Sequence, residues 1–247
     1  MTFVRRLLRQ ALPLAARQTL AHAMRHWRDS RRGVVLSHAH SAADLHGYTL
    51  QVELVQPVRP GALLENKLRN LARGASAIDL SIVAPGQVWS FWRYVSEPNA
   101  RNGYVHGRNL VNGQLTRQFG GGLCQLSSML YHLGLLAGLR MDERHPHSID
   151  IYQEHERFTP LGADATVVWG FKDLRMVNPH AIDIVFRCRL EGHSLKGYVY
   201  AKGLLPKIEL NFAREQLEPG RVLVHTLVNQ QPHTKTIYVQ RQLDLVA

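Results

Sequence analysis

A glycine-rich segment that leads into an apolar run constrains this fold more than any other feature of the chain. Gly120, Gly121 and Gly122 are consecutive, and Gly138 marks the far end of the run. Between them, apolar residues recur at the spacing of a helix that has few polar positions. Such a helix is buried, so other elements must cover it. The apolar residues that define it are Met129, Leu130, Leu133, Leu135 and Leu136.

The C-terminal third of the chain predicts the sheet that covers this helix. Apolar residues from Ile182 to Leu190 alternate with Asp183, Arg187 and Arg189, as in a half-buried strand. Similar segments occur at 197–201, 221–227 and 236–239. The hydrophobic content of 45% is enough for one sizeable core. We therefore predict an α+β domain over residues 60–247, with the central helix packed against a mostly antiparallel sheet.

Residues 1–59 are predicted to be a basic amphipathic helical extension followed by a connection. Residues 1–33 hold eight Arg and one acidic residue, a net charge of +7, which leaves +4 of the total +11 for the rest. Apolar residues from Val4 onward follow one helical face, and the helix is expected to bend or restart near Pro13. It either packs on the domain with a solvated basic face or makes peripheral contact with an anionic membrane.

Charge and cysteine content exclude several classes of protein. The basic residues are concentrated at the N-terminus and are not spread over a folded face among aromatic residues, so no nucleic-acid partner is expected. Two cysteines cannot make a disulfide scaffold or a four-thiolate zinc ribbon. Arg9 and Arg17 interrupt the N-terminal apolar stretch. We expect neither a signal peptide nor a transmembrane helix, and hence a cytoplasmic protein that can contact the inner membrane only peripherally.

Cys124 occupies the start of the predicted helix, where a thiol becomes a nucleophile. Unpaired amide groups and the helix dipole favour the thiolate there. Gly121 and Gly122 permit a close approach by substrate, and nearby amides could stabilise an oxyanion. Gln125 and Ser127, in the first turns, are candidate substrate-binding side chains. Cys188, by contrast, lies on the apolar face of a strand and is expected to be a buried, inert thiol.

A cysteine nucleophile needs a base and a group that orients the base. His145 and His147 precede Ile149, and strand alternation would place all three on one side. His147 is the better placed base, and Asp164, which is predicted to open the next apolar strand, could accept a hydrogen bond from its imidazole. Cysteine on a helix, followed by histidine and aspartate on strands, is also the order in papain-like and transglutaminase-like enzymes, an analogy at the level of fold.

Other interpretations of these residues stay open at this stage. Cys124 could be a small buried hydrophobe, and the glycines could serve only close packing. His145 and His147 could be structural, or could bind a metal ion together with Asp164 or Cys124. Arg144 could bind an acidic substrate together with His145, or could pair with a neighbouring carboxylate.

Five segments together resemble the signature of the VanW family. They are residues 120–131, 137–139, 143–148, 162–167 and 173–175, and weaker similarity extends the resemblance over about residues 65–190. Two departures from the family pattern are Ser127-Ser128, where Ser-Thr or Thr-Thr is common, and Val95-Ser96, where a Gly-Pro pair is usual.

The resemblance implies a link to glycopeptide resistance and the cell wall. Some exported members of the family are associated with cell-wall cross-linking as L,D-transpeptidases that act through the motif cysteine, which corresponds here to Cys124. The expected lack of an export signal is a third departure. The residues and the resemblance together predict a Cys124-His147-Asp164 site for acyl transfer or amide hydrolysis on a peptide-like or cell-wall-precursor substrate, without a metal or cofactor. The alternatives are a non-catalytic ligand- or metal-binding module and a cytoplasmic accessory or interaction protein.

Overall fold

A computed structural model describes residues 12–37, 44–111 and 114–241 of the chain. Four α-helices and one short 3-10 helix, at Glu154–Glu156, lie within these ranges. The predicted helical segment from Val4 to Ala11 lies outside the described residues, and the helix begins after Pro13, where the sequence predicts a bend or restart. The α-helices are α1 (Leu14–Arg31), α2 (Leu64–Ile78), α3 (Phe91–Val95) and α4 (Leu123–Leu136).

Thirteen strands are present in the described part of the chain, and they confirm the α+β class with mostly antiparallel sheets. The strands are β1 (Thr49–Pro57), β2 (Ser81–Val83), β3 (Val88–Ser90), β4 (His106–Val111), β5 (Gln114–Phe119), β6 (Arg140–Glu143), β7 (Ile149–Asp150), β8 (Arg175–Val177), β9 (Ile184–Glu191), β10 (Ser194–Ala201), β11 (Leu210–Glu218), β12 (Arg221–Val228) and β13 (Gln231–Gln240). Two of the four sheets have four strands each, in the orders β1-β10-β9-β2 and β11-β12-β13-β7.

The helix α4 is the centre of the main core, as its sequence predicts. Leu126, Met129, Leu130 and Leu133 are fully buried. The sheet that contains β1 and β10 covers one side of the helix. Gly197, in β10, permits this close packing, because a Cβ atom there would lie only 2.6 Å from the Met129 sulfur. A side chain at this position would push the sheet away from the helix.

The second helix, α2, contains a glycine that lies against the start of α4. The helix passes through Gly74 and continues to Ile78. A Cβ atom at residue 74 would lie 2.8 Å from side-chain carbons of both Leu123 and Leu126. Gly74 therefore lets α2 pack closely against the start of α4.

The N-terminal helix α1 lies against the rest of the protein through charged and aromatic contacts. Arg25 pairs with Glu143, and Asp29 accepts two hydrogen bonds from Arg175 at 2.9 and 3.0 Å. The His22 ring stacks on Trp169 with a centroid distance of 4.2 Å. These contacts fix which face of α1 points outward. None of the helices in the described ranges combines the length and apolar character that crossing a bilayer requires.

Candidate functional site

The glycine segment forms a tight turn that presents Cys124 at the start of α4. Gly120 and Gly122 adopt positive φ angles of 77° and 104°, which favour glycine. Gly121 is pressed against the neighbouring hairpin, since a Cβ atom there would lie 2.3 Å from the Gly107 carbonyl carbon. Within the described residues, the backbone amide of Cys124 donates to no protein group. The turn thus leaves an amide donor beside the thiol.

The Cys124 sulfur lies in a half-buried position between the helix and the segment that follows Asp164. It is 3.5 Å from the Thr166 hydroxyl and 3.9 Å from the Val167 carbonyl oxygen. Burial by itself raises the pKa of this thiol, but a hydrogen bond and the positive charge of His147 outweigh burial, so the pKa of Cys124 is lowered. The thiolate therefore forms at a lower pH than it does in an ordinary cysteine.

His147 is held by Asp164 through two groups at once. The backbone amide and the ring Nδ1 of His147 each lie 2.7 Å from Asp164 Oδ2. Burial lowers the pKa of this imidazole, but the hydrogen bonds to Asp164 and Cys124 and their charges more than reverse that effect, so the pKa is raised. The pKa is thus lowered at Cys124 and raised at His147, and each shift favours the charged form of its group, because the thiol and the imidazole interact with each other.

Asp164 is itself fixed by donors on its second oxygen. Oδ1 accepts a hydrogen bond of 2.9 Å from Arg144 Nη2 and a short one from the Tyr238 hydroxyl. Burial raises the pKa of this carboxyl, but His147, Arg144 and Tyr238 together lower it to about 2. Asp164 therefore remains ionised at neutral pH and holds the orientation of His147.

The segment around Asp164 is not the apolar strand that the sequence predicts. Residues 163–167 form no strand, and residues 144–148 do not form one either. Side chains of α4 bind this segment instead: Ser127 Oγ donates to the Ala165 carbonyl at 2.7 Å, and Ser128 Oγ accepts from the Ala165 amide at 3.0 Å. Because these side chains satisfy the backbone groups, the segment needs no partner strand.

Several residues predicted to bind substrate have contacts within the protein. Ser127 is buried, and Gln125 is buried and donates to the Pro57 carbonyl at 3.0 Å. Arg144 pairs with Asp164 and also donates to Thr236, which matches the alternative of pairing with a carboxylate. His145 Nε2 lies 2.9 Å from Glu143, the residue that pairs with α1, and so takes no part in the Cys124 group.

Three polar residues near Cys124 or the glycine turn before it were not predicted from the sequence: Tyr152, Arg108 and Lys67. The Tyr152 phenol has a raised pKa, first because of burial, while the charges of Arg108 and Cys124 act on it with opposite sign. The stem of Lys67 packs below Gly122, where a Cβ atom would lie 2.8 Å from Lys67 Cγ. Their spacing along the chain gives no signal for this grouping, because the contacts join α2, the β4-β5 hairpin and the segment after β7.

The described residues contain no group of three or more His, Cys, Asp or Glu that could hold a metal ion. His145 and His147, the two candidate ligands, have separate carboxylate partners, Glu143 and Asp164. The arrangement at His147 instead places one imidazole between the Cys124 thiol and the Asp164 carboxylate.

Comparison with known proteins identifies a family whose sequences match this chain. The family model described as "VanW like protein" matches residues 66–200, more than half of the chain. An uncharacterized protein of Bacillus subtilis, YoaR, is 31% identical over 141 residues, which are 57% of this chain and 45% of that protein. The vancomycin B-type resistance protein VanW of Enterococcus faecalis is 31% identical over 137 residues, 56% of this chain and 50% of that one.

The matched region contains Cys124, His147 and Asp164. The chain spans about half the length of the curated relatives it matches. No solved structure matches it.

Proposed function

This chain belongs to the VanW family, and we propose that Cys124, His147 and Asp164 carry out acyl transfer or amide hydrolysis on a peptide-like substrate. The observation that carries the proposal is the position of His147, whose ring bonds to Asp164 at 2.7 Å and lowers the pKa of the Cys124 thiol. A purely structural cysteine needs no such partner.

The reaction begins with attack of the Cys124 thiolate on an amide carbonyl carbon. A carbon-sulfur bond forms as the carbonyl electron pair moves to oxygen, and the free amide of Cys124 is placed to donate to that oxyanion. The intermediate collapses to a thioester when the carbon-nitrogen bond breaks, and the leaving amine takes its proton from the His147 imidazolium. Neutral His147 then removes a proton from water or an acceptor amine, which attacks the thioester and releases the thiolate.

Asp164 keeps the ring of His147 in one orientation through both protonation states. Because its pKa is lowered to about 2, it stays charged and stabilises the imidazolium that precedes amine release. The order of cysteine, histidine and aspartate supports the analogy with papain-like and transglutaminase-like enzymes as a proposal about mechanism. One relative is named for vancomycin resistance, which supports a cell-wall-precursor peptide as substrate.

Trapping of the acyl-enzyme tests this proposal directly. The full chain is incubated with stem peptides isolated from bacterial cell walls, quenched in acid and measured by intact mass spectrometry. We expect an added acyl mass that hydroxylamine removes and that peptide mapping places on Cys124. The Cys124→Ala variant should acquire no mass, whereas Cys188→Ala should behave as the unaltered chain does. Tight binding of the peptides without an adduct would favour the non-catalytic ligand-binding alternative.

We propose as a second function that α1 contacts an anionic membrane surface. Leu20, Met24 and Trp27 are 47%, 48% and 58% exposed and follow one face of the helix. Because Arg25 and Asp29 bind the domain, this face of α1 points outward. Arg28 and Arg31 in the last turn supply positive charge beside it. An apolar row with flanking arginines is typical of helices that lie in a lipid interface.

Vesicle flotation tests this contact. The full chain should float with vesicles that contain anionic lipid, less so with neutral vesicles, and moderate salt should reverse the binding. Trp27→Ser should weaken flotation. Val35→Ser, a change of an equally exposed residue just after α1, should not. Equal behaviour with both kinds of vesicle would leave packing on the domain as the only function of α1.

A further inference from the structure

Two cations of the described chain, Lys67 and Arg108, flank the glycine turn without an acidic partner. Lys67 lies on α2 and Arg108 on β4, and both are half-buried. No ion pair joins either side chain to a carboxylate among the residues described, although fifteen other pairs occur there. A half-buried charge without a partner is costly, and two of the same sign together are costlier.

Both cations are attached to backbone that touches the turn before Cys124. A Cβ atom at Gly121 would lie 2.6 Å from the Arg108 amide nitrogen, and one at Gly122 would lie 2.8 Å from Lys67 Cγ. Asn70 keeps α2 and the turn together, since its side-chain amide donates to the Gly121 carbonyl at 2.9 Å. Rigid elements therefore hold the backbone of Arg108 and the stem of Lys67 against the turn that precedes Cys124, within side-chain reach of it.

The electrostatics agree with this geometry. Burial first, and then the charge of Arg108, lower the pKa of Lys67 to about 8. The charges of Arg108 and Cys124 both act on Tyr152, which places this phenol within the reach of each. An anion bound between Lys67 and Arg108 would remove the repulsion that lowers the Lys67 pKa.

We infer that Lys67 and Arg108 form a carboxylate-binding subsite beside Cys124, so that the substrate of the proposed reaction carries a free carboxylate close to the amide that is cleaved. The inference rests on the proposed function and names its substrate class. It also replaces Arg144 and His145 as the groups that recognise an acidic substrate, because both of these already have carboxylate partners. Arginine and lysine together supply directional and point-charge contacts to one carboxylate.

Two alkylating agents of similar size test the subsite. Iodoacetate carries a carboxylate and iodoacetamide does not, so the ratio of their rates at Cys124 measures attraction of an anion and cancels changes in thiol reactivity. We expect the ratio in the folded chain to exceed that of free cysteine by roughly fivefold, as for unit charges in contact near water. High salt should reduce the ratio.

Matched variants assign that preference to the two cations. Lys67→Met keeps the packing stem, Arg108→Gln keeps polarity, and each should lower the ratio, whereas Lys67→Arg should preserve it. Arg69→Gln, an exposed change on the same helix, is the control. Because the pKa of Lys67 is about 8, its charge is lost as the pH rises past that value. The ratio should therefore fall between about pH 7 and pH 9 in the unaltered chain, fall at a higher pH in Arg108→Gln, which lacks the charge that helps to lower the Lys67 pKa, and show no such fall in Lys67→Met. A ratio equal to that of free cysteine would overturn the subsite.

A second measurement separates this inference from the reaction itself. In Cys124→Ala, acetylation of Lys67 by dilute acetic anhydride is followed by peptide mapping, with acetyl-alanyl-alanine or its C-terminal amide added. The free carboxylate should slow acetylation of Lys67, and the amide should not. Protection of this kind supports the subsite even if Cys124 proves unreactive, a result that would refute only the proposed reaction. Equal acetylation with both peptides would refute the subsite even if the thiol is reactive.

Discussion

The two cysteines of this protein lie in regions that shift the pKa of a thiol in opposite directions. Cys188 lies inside β9, is 1% exposed, and has a raised pKa because of burial and then the charge of Asp79. Cys124 lies at the start of α4, also in a largely apolar environment, but its pKa is lowered. Burial acts in the same direction on both sulfurs, so the difference comes first from His147 and then from the hydrogen bonds to the Val167 carbonyl and the Thr166 hydroxyl.

The comparison shows that a reactive thiol here depends on residues outside the helix that carries it. His147 and Asp164 come from segments without regular structure. Asp164 is in turn held by Tyr238, which lies on strand β13. At Cys188 the backbone amide donates a hydrogen bond of 3.2 Å to Asp79, whose negative charge disfavours the thiolate, whereas the charge of His147 favours it at Cys124. Each experiment below removes one part of the Cys124 environment and uses Cys188 as the internal reference.

The largest expected effect is the difference between the two thiols themselves. Brief iodoacetamide treatment of the folded chain at neutral pH, followed by peptide mapping, should label Cys124 at least about a hundredfold faster than Cys188. The pKa of Cys124 is lowered and that of Cys188 is raised, and both shifts increase the difference in thiolate fraction. Because the pKa of Cys124 is lowered, its rate should persist at a pH below the ordinary thiol range and fall only at more acidic pH. Equal labelling, or faster labelling of Cys188, would remove the nucleophilic role.

Removal of the imidazole should produce the next largest effect. His147→Ala should slow alkylation of Cys124 roughly tenfold or more, because the group that stabilises the thiolate is lost. His145→Ala is the matched control and should change the rate by less than about twofold, since His145 bonds to Glu143. Labelling of Cys188 should stay slow in both.

The same pair of variants also tests the metal-site alternative. If the two histidines were ligands, the purified chain would contain near-stoichiometric metal, and both variants would lose it to similar extents. Elemental analysis of the unaltered chain, measured beside the alkylation rates, distinguishes the two outcomes. Zinc that is lost in either variant would contradict the cysteine-histidine-aspartate site.

Some parts of the fold could be predicted from the sequence and others could not. The apolar spacing from Met129 to Leu136 predicted the buried helix, and alternation predicted β9, because each pattern depends only on residues near in sequence. The α+β class followed from them. The strand predicted at Asp164 was wrong, since Ser127 and Ser128 satisfy that backbone in place of a neighbouring strand. The strand β11 was also not predicted, and its mostly exposed residues carry little alternation signal.

Some residues of the candidate site were likewise predicted from the sequence, and others were not. Cys124, His147 and Asp164 were selected from their residue types and order, and the structure brings His147 and Asp164 within 2.7 Å. Tyr238, Lys67 and Arg108 were not selected, because their relation to Cys124 depends on how distant elements pack. A tyrosine on a strand or a lysine on a helix has no local pattern that marks it. The boundary of the domain near residue 60 stays a prediction.

Neutralising Asp164 should have a smaller effect on the thiol than loss of His147, but a larger effect on stability. Asp164→Asn should slow Cys124 alkylation several-fold, since the imidazolium loses its charged partner. It also leaves the buried Arg144 without its carboxylate, so the free energy of unfolding should fall by about 3 kcal/mol. Urea unfolding and alkylation of the same samples measure both quantities. Asp79→Asn, beside Cys188, should leave the Cys124 rate unchanged.

The smallest effect on the thiol is expected from Tyr238→Phe, which removes one donor from Asp164 and keeps the charge. Alkylation of Cys124 should change by less than about twofold, because His147 binds the other oxygen of Asp164 and the carboxylate remains ionised. Stability should still fall by about 1 kcal/mol, the contribution of a typical hydrogen bond.

The pH dependence of that loss fixes its origin. The folded pKa of Asp164, about 2, lies below the ordinary carboxyl value, so its stabilising contribution is complete above the ordinary value and is lost as pH falls toward 2. Tyr238→Phe reduces this depression, and the difference in unfolding free energy between the two chains should therefore be largest near neutral pH and shrink in acid. A difference that stays constant with pH would place the effect of Tyr238 in packing. A large loss of Cys124 reactivity would instead make Tyr238 a necessary part of the environment that distinguishes the two thiols.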